Sequence, residues 1–497
     1  MRAPQESQSS THYDSFYSRP TQHANTYGFP TFQILNNDSA GTKKGKGTEV
    51  SFQACTEQFF TLESTPLADF PNYSSSSGPS VSSGRSPLSP PGSQSYASDF
   101  HHTPVNTDHG SPLSGSSGVE DDNKLLHALW VLRHELLGPE SETDDSGFYN
   151  GMAAGPPQPS SPFTRLGAYM LEGLRARLLS SGSIIYKKLK CKEPTSSELM
   201  SYMHVIYQIC PYYKFAYISS NAIISEAMEN ERRIHIIDFQ IAQGSQWVSL
   251  IQALARRPGG PPFVRITGVD DSDSAHARGG GLELVGRRLS QVAESCGVPF
   301  VFHGSAMSGC EVQLENLNVQ HEEALAVNFP YVLHHMPDES VSTTNHRDRL
   351  LRLVKGLSPK VVTLVEQESN TNTSTFFQRF CETLDYYTAM FESIDDAARA
   401  RDDGTRISAE EHCVAKDVVN IISCEGVDRV ERHELFGKWR LRLAMAGFAP
   451  VQLGPSIGPA IRDMLKEYSS NYGLAEANGA LYLGWKNRAL ATCSAWR

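Results

Sequence analysis

A β-branched run at residues 234–237 is the clearest hydrophobic pattern in the chain, and it predicts a strand covered on both faces. Asp238 falls at the C-terminal end of this strand. Gly244 allows a tight turn, and Ser245 is placed to cap a predicted helix over residues 246–257. Ligands of open α/β sheets usually lie at the C-terminal ends of strands. This stretch is therefore the first candidate site.

Strand-like and helix-like patterns alternate from residue 163 onwards. Helical spacing recurs over residues 166–180, 196–210, 213–231, 282–296, 345–356, 374–391, 407–424, 434–446 and 457–468. Strand-like runs occupy residues 263–268, 299–303, 323–328, 360–366, 448–453, 473–477, 480–485 and 489–496. Asn478 and Gly479 between two such runs predict a hairpin. The pattern predicts an α/β fold: a doubly wound, Rossmann-like and methyltransferase-like sheet with a terminal antiparallel hairpin.

The first third of the chain lacks these patterns. Residues 1–122 are rich in Ser, Thr, Pro, Gly, Asn and Gln, and they are predicted to be disordered because they cannot bury enough apolar surface. Residues 123–138 carry leucines at helical spacing after a capping Asn123, which predicts an amphipathic helix. This helix either docks on the following domain or binds a partner. Residues 139–162 are a predicted linker, which leaves 163–497 as the folded domain.

Composition and charge limit the kinds of function that the chain can have. The net charge of -11 argues against a chain-wide cationic surface for nucleic acid. The basic residues at 187–192 and Arg256–Arg257 leave direct DNA contact open as an alternative. Nine scattered cysteines without a CxxC pair fit reduced thiols in the nucleus or cytosol. The chain contains no run of about 18 apolar residues, so no membrane span is expected.

Three ordered motifs over about two thirds of the chain resemble those of the plant GRAS family. The residues that carry them are Ile234, His235, Ile236, Ile237, Asp238, Arg429, Glu431, Arg432, Trp439, Gly447, Trp485, Ser494, Ala495 and Trp496. The first five resemble the VHIID motif, and the last three resemble the closing SAW motif. Residues 165–173, 191–194 and 238–244 resemble the branch associated with phytochrome A signalling and with chitin- and gibberellin-responsive expression.

The resemblance implies a transcriptional regulator of plant nuclei, also present in the cytoplasm, with a methyltransferase-like core and a helical cap. Members of this family act mainly through protein partners, which include DNA-binding transcription factors and other nuclear proteins, and GRAS homo- or hetero-dimers are expected. Some members are proposed to bind DNA directly. The implied roles are light, gibberellin or stress signalling.

The chain departs from the pattern of the GRAS family in one place. The family's first leucine-rich repeat should fill the interval at residues 138–162, which is short and rich in Gly and Pro here. The cap is therefore predicted to be truncated, by a real deletion or by an error in the gene model. Such a truncation would leave the apolar faces of residues 166–180 and 213–231 uncovered.

The loop after the first strand argues against methyl transfer. A methyl-donor cofactor approaches the backbone closely and needs glycines there, whereas residues 239–241 are Phe, Gln and Ile. We therefore predict no cofactor, no catalytic residue and no enzymatic activity. A methyltransferase-like ligand-binding protein or enzyme remains the alternative.

The other candidate residues are weaker. His334 and His335 are adjacent and are predicted to point apart, and no Cys or His lies at ligand spacing, so no metal site is predicted. His412 and Cys413 are expected on different sides of a helix, which argues against a nucleophilic dyad. The alternation of charges at Arg429, Glu431 and Arg432 predicts a buried ion network. This network either stabilises the fold or contacts a partner protein. We expect the three tryptophans of these motifs, Trp439, Trp485 and Trp496, to pack in the hydrophobic core.

Overall fold

The computed structural model describes residues 33–34, 161–178, 196–270, 281–397 and 403–497. The predicted disordered region apart from Gln33–Ile34, the amphipathic helix at 123–138 and nearly all of the linker therefore lie outside the described residues. So do the basic residues at 187–192. Among the described helices, none combines the length and apolar character needed to cross a membrane.

One mixed sheet forms the centre of the fold. Its strands are β1 (Gln33–Ile34), β2 (Arg233–Asp238), β3 (Phe263–Asp270), β4 (Phe300–Ala306), β5 (Ala324–Pro330), β6 (Val361–Gln367), β7 (Pro450–Val451), β8 (Tyr472–Ala477), β9 (Ala480–Trp485) and β10 (Arg488–Trp496). Strands β4-β3-β2-β5-β6 are parallel and neighbours in that order. The direction of winding reverses at β2, because β3 and β5 lie on its two sides.

Helices cover both faces of this sheet. They are α1 (Pro162–Leu178), α2 (Ser196–Ile209), α3 (Tyr212–Ala227), α4 (Ser245–Ala255), α5 (Gly281–Ser295), α6 (His346–Gly356), α7 (Phe376–Asp395), α8 (Gly404–Glu410), α9 (Lys416–Ser423), α10 (Phe436–Met445) and α11 (Ile457–Leu465). A π-helical turn, Glu411–Ala415, joins α8 to α9. Short 3₁₀ turns lie at Leu314–Leu317, Leu333–His335 and Gly426–Asp428. The alternation of strands and helices confirms the predicted Rossmann-like α/β architecture.

The chain closes with an antiparallel meander of β8, β9 and β10. Asn478 and Gly479 join the first two strands with φ values of 55° and 82°, as the predicted hairpin turn requires. β10 then pairs antiparallel with β6 and joins the meander to the parallel strands. The two short strands complete the sheet, since β7 pairs with β10 and β1 with β8.

Strand β2 is buried on both faces, as its β-branched run predicts. Ile234 and Ile236 belong to one hydrophobic core, and Ile237 belongs to the core on the opposite side of the sheet. All three side chains are at most 1% exposed. Strand β2 therefore separates the two hydrophobic cores.

Three predicted details of the elements are wrong. The helix predicted at 213–231 ends at Ala227, and the strand predicted at 448–453 is only Pro450–Val451. Ser245 is the first residue of α4 and does not cap it. Gly244 occupies the N-cap position with φ 74°, a left-handed conformation that glycine adopts without a Cβ clash.

The predicted exposure of the shortened helical cap is also wrong. Leu166, Met170 and Leu174 on α1 are fully buried, because α7 and α9 pack against this face. Arg165 Nε and Nη2 donate to the two carboxylate oxygens of Glu410 at 2.8 and 2.9 Å, which ties α1 to α8. Tertiary neighbours that are distant in sequence therefore cover the apolar face of α1.

We expect Gly173→Ala to destabilise the protein by about 1–3 kcal/mol through overpacking. A Cβ at Gly173 of α1 would lie 2.8 Å from Ile422 Cβ of α9. Gly437→Ala in α10 is the matched control, since a Cβ there meets nothing within 4 Å. This control should be neutral or stabilising by up to about 1 kcal/mol. Urea unfolding of both variants measures the difference, and equal effects would contradict the packing explanation.

Candidate functional site

A cleft opens where the direction of winding reverses, at the C-terminal ends of β2, β5 and β6. It encloses about 1070 Å³, including its open mouth. Helices α2, α3 and α7 and the π-helical turn close it from above. Its aromatic and polar lining includes Tyr213, Tyr217, Tyr331, His334, His335 and Tyr386. This is the position at which open α/β sheets bind ligands.

Bulky side chains fill the turn between β2 and the cleft. The Phe239 ring stacks on that of Phe329, with centroids 4.7 Å apart and planes at 18°. Ile241 is 3% exposed and packs so closely against β3 that a Cβ at Gly268 would lie 3.0 Å from it. Ala242 adopts φ 47°, a left-handed conformation that is uncommon for a residue with a side chain. The turn therefore lacks the open backbone that a nucleotide cofactor requires.

The Asp238 carboxylate is fully engaged inside this turn. Its Oδ2 accepts a hydrogen bond from Trp247 Nε1 at 2.8 Å, and its Oδ1 accepts one from the Gln240 N–H at 3.1 Å. Asn328 Nδ2 donates to Oδ1 at 3.4 Å. Burial raises the pKa of Asp238 to about 7, against the lowering effect of these hydrogen bonds. Asp238 links β2, its loop and α4, and it does not line the cleft.

His235, the second residue of the same motif, is also internal. Its Nε2 lies 2.8 Å from Thr267 Oγ1 on β3, and the side chain is fully buried. Burial lowers the pKa of His235 to about 4. The imidazole is therefore neutral at physiological pH and contributes to strand packing.

His334 and His335 converge on one carboxylate, so the prediction that they point apart is wrong. His334 Nδ1 donates to Glu366 Oε2 at 2.6 Å, and its Nε2 lies 3.4 Å from Glu431 Oε2. His335 Nδ1 lies 3.4 Å from the other oxygen, Glu431 Oε1. The short 3₁₀ turn after β5 brings the two rings within 4.0 Å, centroid to centroid. Sequence spacing could not show this, because Glu431 comes from a distant segment.

The electrostatics of this cluster are strongly perturbed. Burial alone would raise the pKa of Glu431, but His335, His334 and His433 hold it well below its usual range. Burial would lower the pKa of His334, but the carboxylates of Glu366 and Glu431 raise it to about 10. Burial and the neighbouring His334 lower the pKa of His433 to about 4. Perturbed groups beside a cleft mark this cluster as the main candidate site.

The two arginines that flank Glu431 also face inwards. Arg429 Nη1 and Nη2 donate to the carbonyl oxygens of Thr371 and Asn372 at 2.7 and 3.0 Å. Arg432 Nη1 donates to Asn372 Oδ1 at 3.1 Å. Both arginine side chains are nearly fully buried. Segment 429–432 is therefore fastened to the loop after β6, and this fixes the position of Glu431 over the end of β5.

His412 and Cys413 form no reactive pair. The His412 ring stacks on Tyr202 with centroids 5.3 Å apart, whereas Cys413 faces the cleft. Burial raises the pKa of the Cys413 thiol to about 12, so it is not a thiolate at physiological pH.

Comparison with known proteins decides the family. The model of the GRAS domain family matches residues 153–497. The chain belongs to the GRAS family. This membership confirms the resemblance drawn from the motifs, and the match covers more than half of the chain.

Named relatives support the predicted branch of the GRAS family. Chitin-inducible gibberellin-responsive protein 2 of Oryza sativa is 52% identical over 489 residues, covering 89% of this chain and 88% of that protein. Scarecrow-like transcription factor PAT1 of Arabidopsis thaliana is 64% identical over 337 residues, covering 68% and 69% respectively. The crystal structure of SCL7 from Oryza sativa has 33% identity and a TM-score of 0.63, over 75% of this chain and 99% of that one.

The aromatic motif residues of this GRAS domain lie in its cores. Trp439 is fully buried beneath the Arg347 guanidinium, 4.9 Å from its ring centroid. Trp485 Nε1 donates to Glu392 at 3.1 Å, and Trp496 Nε1 donates to Ser494 Oγ at 2.9 Å. Gly447 follows α10 with φ 93°, a conformation that favours glycine. Ala495, like its neighbours in β10, is buried.

Proposed function

We propose that this GRAS protein is a non-enzymatic transcriptional regulator of plant nuclei that acts by binding other proteins. Its partners would be DNA-binding transcription factors and other nuclear proteins, with GRAS homo- or hetero-dimers among them. The observation that carries the non-enzymatic part is the turn after β2, where the side chains of Phe239 and Ile241 occupy positions at which a methyl-donor site needs glycines. The names of the relatives support a role in transcription that responds to gibberellin or chitin, and light or stress signalling is part of the same proposal.

The structure offers some evidence against the alternative of direct DNA binding. Arg257 Nη1 donates to the Met228 carbonyl oxygen at 3.0 Å, and its Nη2 donates to the Glu231 carbonyl oxygen. Its guanidinium is therefore occupied in fastening the end of α4 to the loop after α3. Arg256 next to it is exposed, and the other basic candidates, Lys187 and its neighbours, lie in the part of the chain that is not described.

We expect the purified full chain to bind duplex DNA weakly and without sequence preference, yet to change reporter expression when tethered to a promoter. Fluorescence anisotropy with random and promoter-derived 30-base-pair duplexes at two salt concentrations measures the first property. A fusion to a heterologous DNA-binding domain in plant cells measures the second.

The double variant Lys187→Gln, Lys188→Gln is the control for this experiment. Under the proposal it leaves tethered reporter activity unchanged. Tight, sequence-specific binding that is lost in this variant and falls steeply with salt would instead identify a direct DNA-binding factor.

A further inference from the structure

The cluster of His334, His335 and Glu431 carries an inference beyond regulation. All three side chains offer ligand atoms that lie within 4.8 Å of one another. We propose that they bind a divalent first-row transition metal ion at the edge of the cleft. The inference rests on the geometry of these side chains and is independent of the regulatory role proposed above.

The spacing of the ligand atoms fits a tetrahedral ion. Metal–ligand bonds of about 2.0–2.1 Å place neighbouring ligand atoms about 3.3 Å apart. Glu431 Oε2 lies 3.4 Å from His334 Nε2, and Glu431 Oε1 lies 3.4 Å from His335 Nδ1. The ligand atoms of all three groups already lie within 4.8 Å of one another, and the half-exposed His335 ring would turn to complete the site.

The hydrogen bond between His334 and Glu366 orients the imidazole ring. His334 Nδ1 donates to Glu366 Oε2 at 2.6 Å, which leaves Nε2 facing Glu431, and a metal ion bound there would take the place of the Nε2 proton. Metal-binding histidines commonly donate their other ring N–H to a carboxylate in this way. Glu366 would therefore be a positioning residue for the metal, and it also accepts a hydrogen bond from the Leu333 N–H at 2.8 Å.

Two buried atoms at the site lack a protein hydrogen bond. Among the described residues, Glu431 Oε2 and His433 Nε2 make none, although they lie 3.3 Å apart. His433 is fully buried, and Glu431 is 6% exposed. Buried polar atoms usually make a full hydrogen bond, and a bound ion would give Glu431 Oε2 the partner that the surrounding side chains do not supply with good geometry.

The donor set selects the class of metal. Two imidazoles and one carboxylate favour Zn²⁺, Co²⁺ or Fe²⁺ over Mg²⁺ and Ca²⁺, which prefer oxygen ligands. His334 and His335 also line the cleft, so a coordination position faces its interior. A bound ion would fasten segment 429–432 to the turn after β5 and would present an electrophilic centre to any molecule in the cleft.

Metal titration of the chelator-treated full chain tests the proposal. We expect one equivalent of Zn²⁺ by calorimetry, and a visible d–d spectrum typical of tetrahedral coordination when Co²⁺ is added. His335→Gln and Glu431→Gln should each weaken binding at least about tenfold and alter the Co²⁺ spectrum. Glu366→Gln should weaken binding by about 10- to 100-fold while the three ligands remain.

Two controls separate this site from adventitious binding and from misfolding. His321→Gln removes an exposed imidazole before β5, at the opposite end of the strand from His334, and should leave binding unchanged. His335 is 41% exposed, so its glutamine variant should retain its circular dichroism and melting temperature without metal. Absence of stoichiometric binding, or binding that survives His335→Gln, would overturn the proposal.

Discussion

Replacing Arg442 with methionine is expected to lower the free energy of unfolding by about 3–5 kcal/mol. Arg442 Nε and Nη2 donate to both oxygens of the buried Glu434 at 2.7 and 2.9 Å. The same guanidinium contacts Asp338 at 3.3 Å and Asp348 at 3.0 Å. Methionine keeps much of the aliphatic volume but leaves buried Asp338 and Glu434 to share Arg347 as their remaining buried cation.

The pH dependence of this loss distinguishes an electrostatic cause from a packing defect. Burial alone would raise the pKa of Glu434, but Arg442 and Arg347 lower it to about 2, from an ordinary value of 4.5. The unfolded chain therefore takes up a proton first as pH falls, and about 3 kcal/mol of stability is lost between pH 4.5 and 2. In the variant the pKa of Glu434 returns toward its ordinary value. The difference between the two proteins should be full at pH 7 and shrink below pH 4.5.

Urea unfolding at pH 7, 5 and 3.5 measures both effects. Lys466→Met is the control, because it breaks an ion pair with Asp463 in which both side chains are about two thirds exposed. Such exposed pairs contribute about 0–1 kcal/mol and are screened by salt. A loss in Arg442→Met that stays constant from pH 7 to 3.5 would show that packing, and not charge, is the cause.

Local patterns predicted the elements of this fold well because their causes are local. The β-branched residues of β2 fill two cores wherever the strand is placed, and Asn478-Gly479 adopts positive φ values through its own chemistry. Irregular turns inside the helices were less predictable. The region predicted as one helix at 407–424 contains the π-helical turn Glu411–Ala415, which turns Cys413 toward the cleft. Periodicity alone does not reveal an extra residue in one turn.

The histidine cluster could not be predicted, because its cause is tertiary. His334 and Glu431 are brought together by hydrogen bonds of Arg429 and Arg432 to the loop after β6. No spacing within either segment reports this contact. The buried cap helix α1 shows the same limit, since α7 and α9 bury its apolar face although neither is near it in sequence.

Asp238→Ala is expected to destabilise the protein by about 2–4 kcal/mol, because it removes the acceptor of three hydrogen bonds. The buried Trp247 Nε1 and the part-buried Gln240 N–H lose their acceptor, and Asn328 Nδ2 keeps only Gln246 Oε1. Trp247→Phe removes one of them and separates its contribution. A double-mutant cycle between positions 238 and 247 should give a coupling free energy of about 1–2 kcal/mol, measured by urea unfolding.

The same variant separates a structural carboxylate from a ligand-binding one. If Asp238 bound the methyl donor of an active enzyme, alanine would abolish S-adenosylmethionine binding and leave the melting temperature nearly unchanged. The hydrogen bonds of Asp238 predict the reverse, with no saturable heat when S-adenosylmethionine is titrated into the unmodified chain and a lower melting temperature in the variant. Micromolar binding that depends on Asp238 would restore the methyltransferase alternative. In that case the Asp238 carboxylate would have a chemical role. Its hydrogen bonds to Gln240 and Trp247 instead favour a structural role, in which it holds the turn after β2 in place.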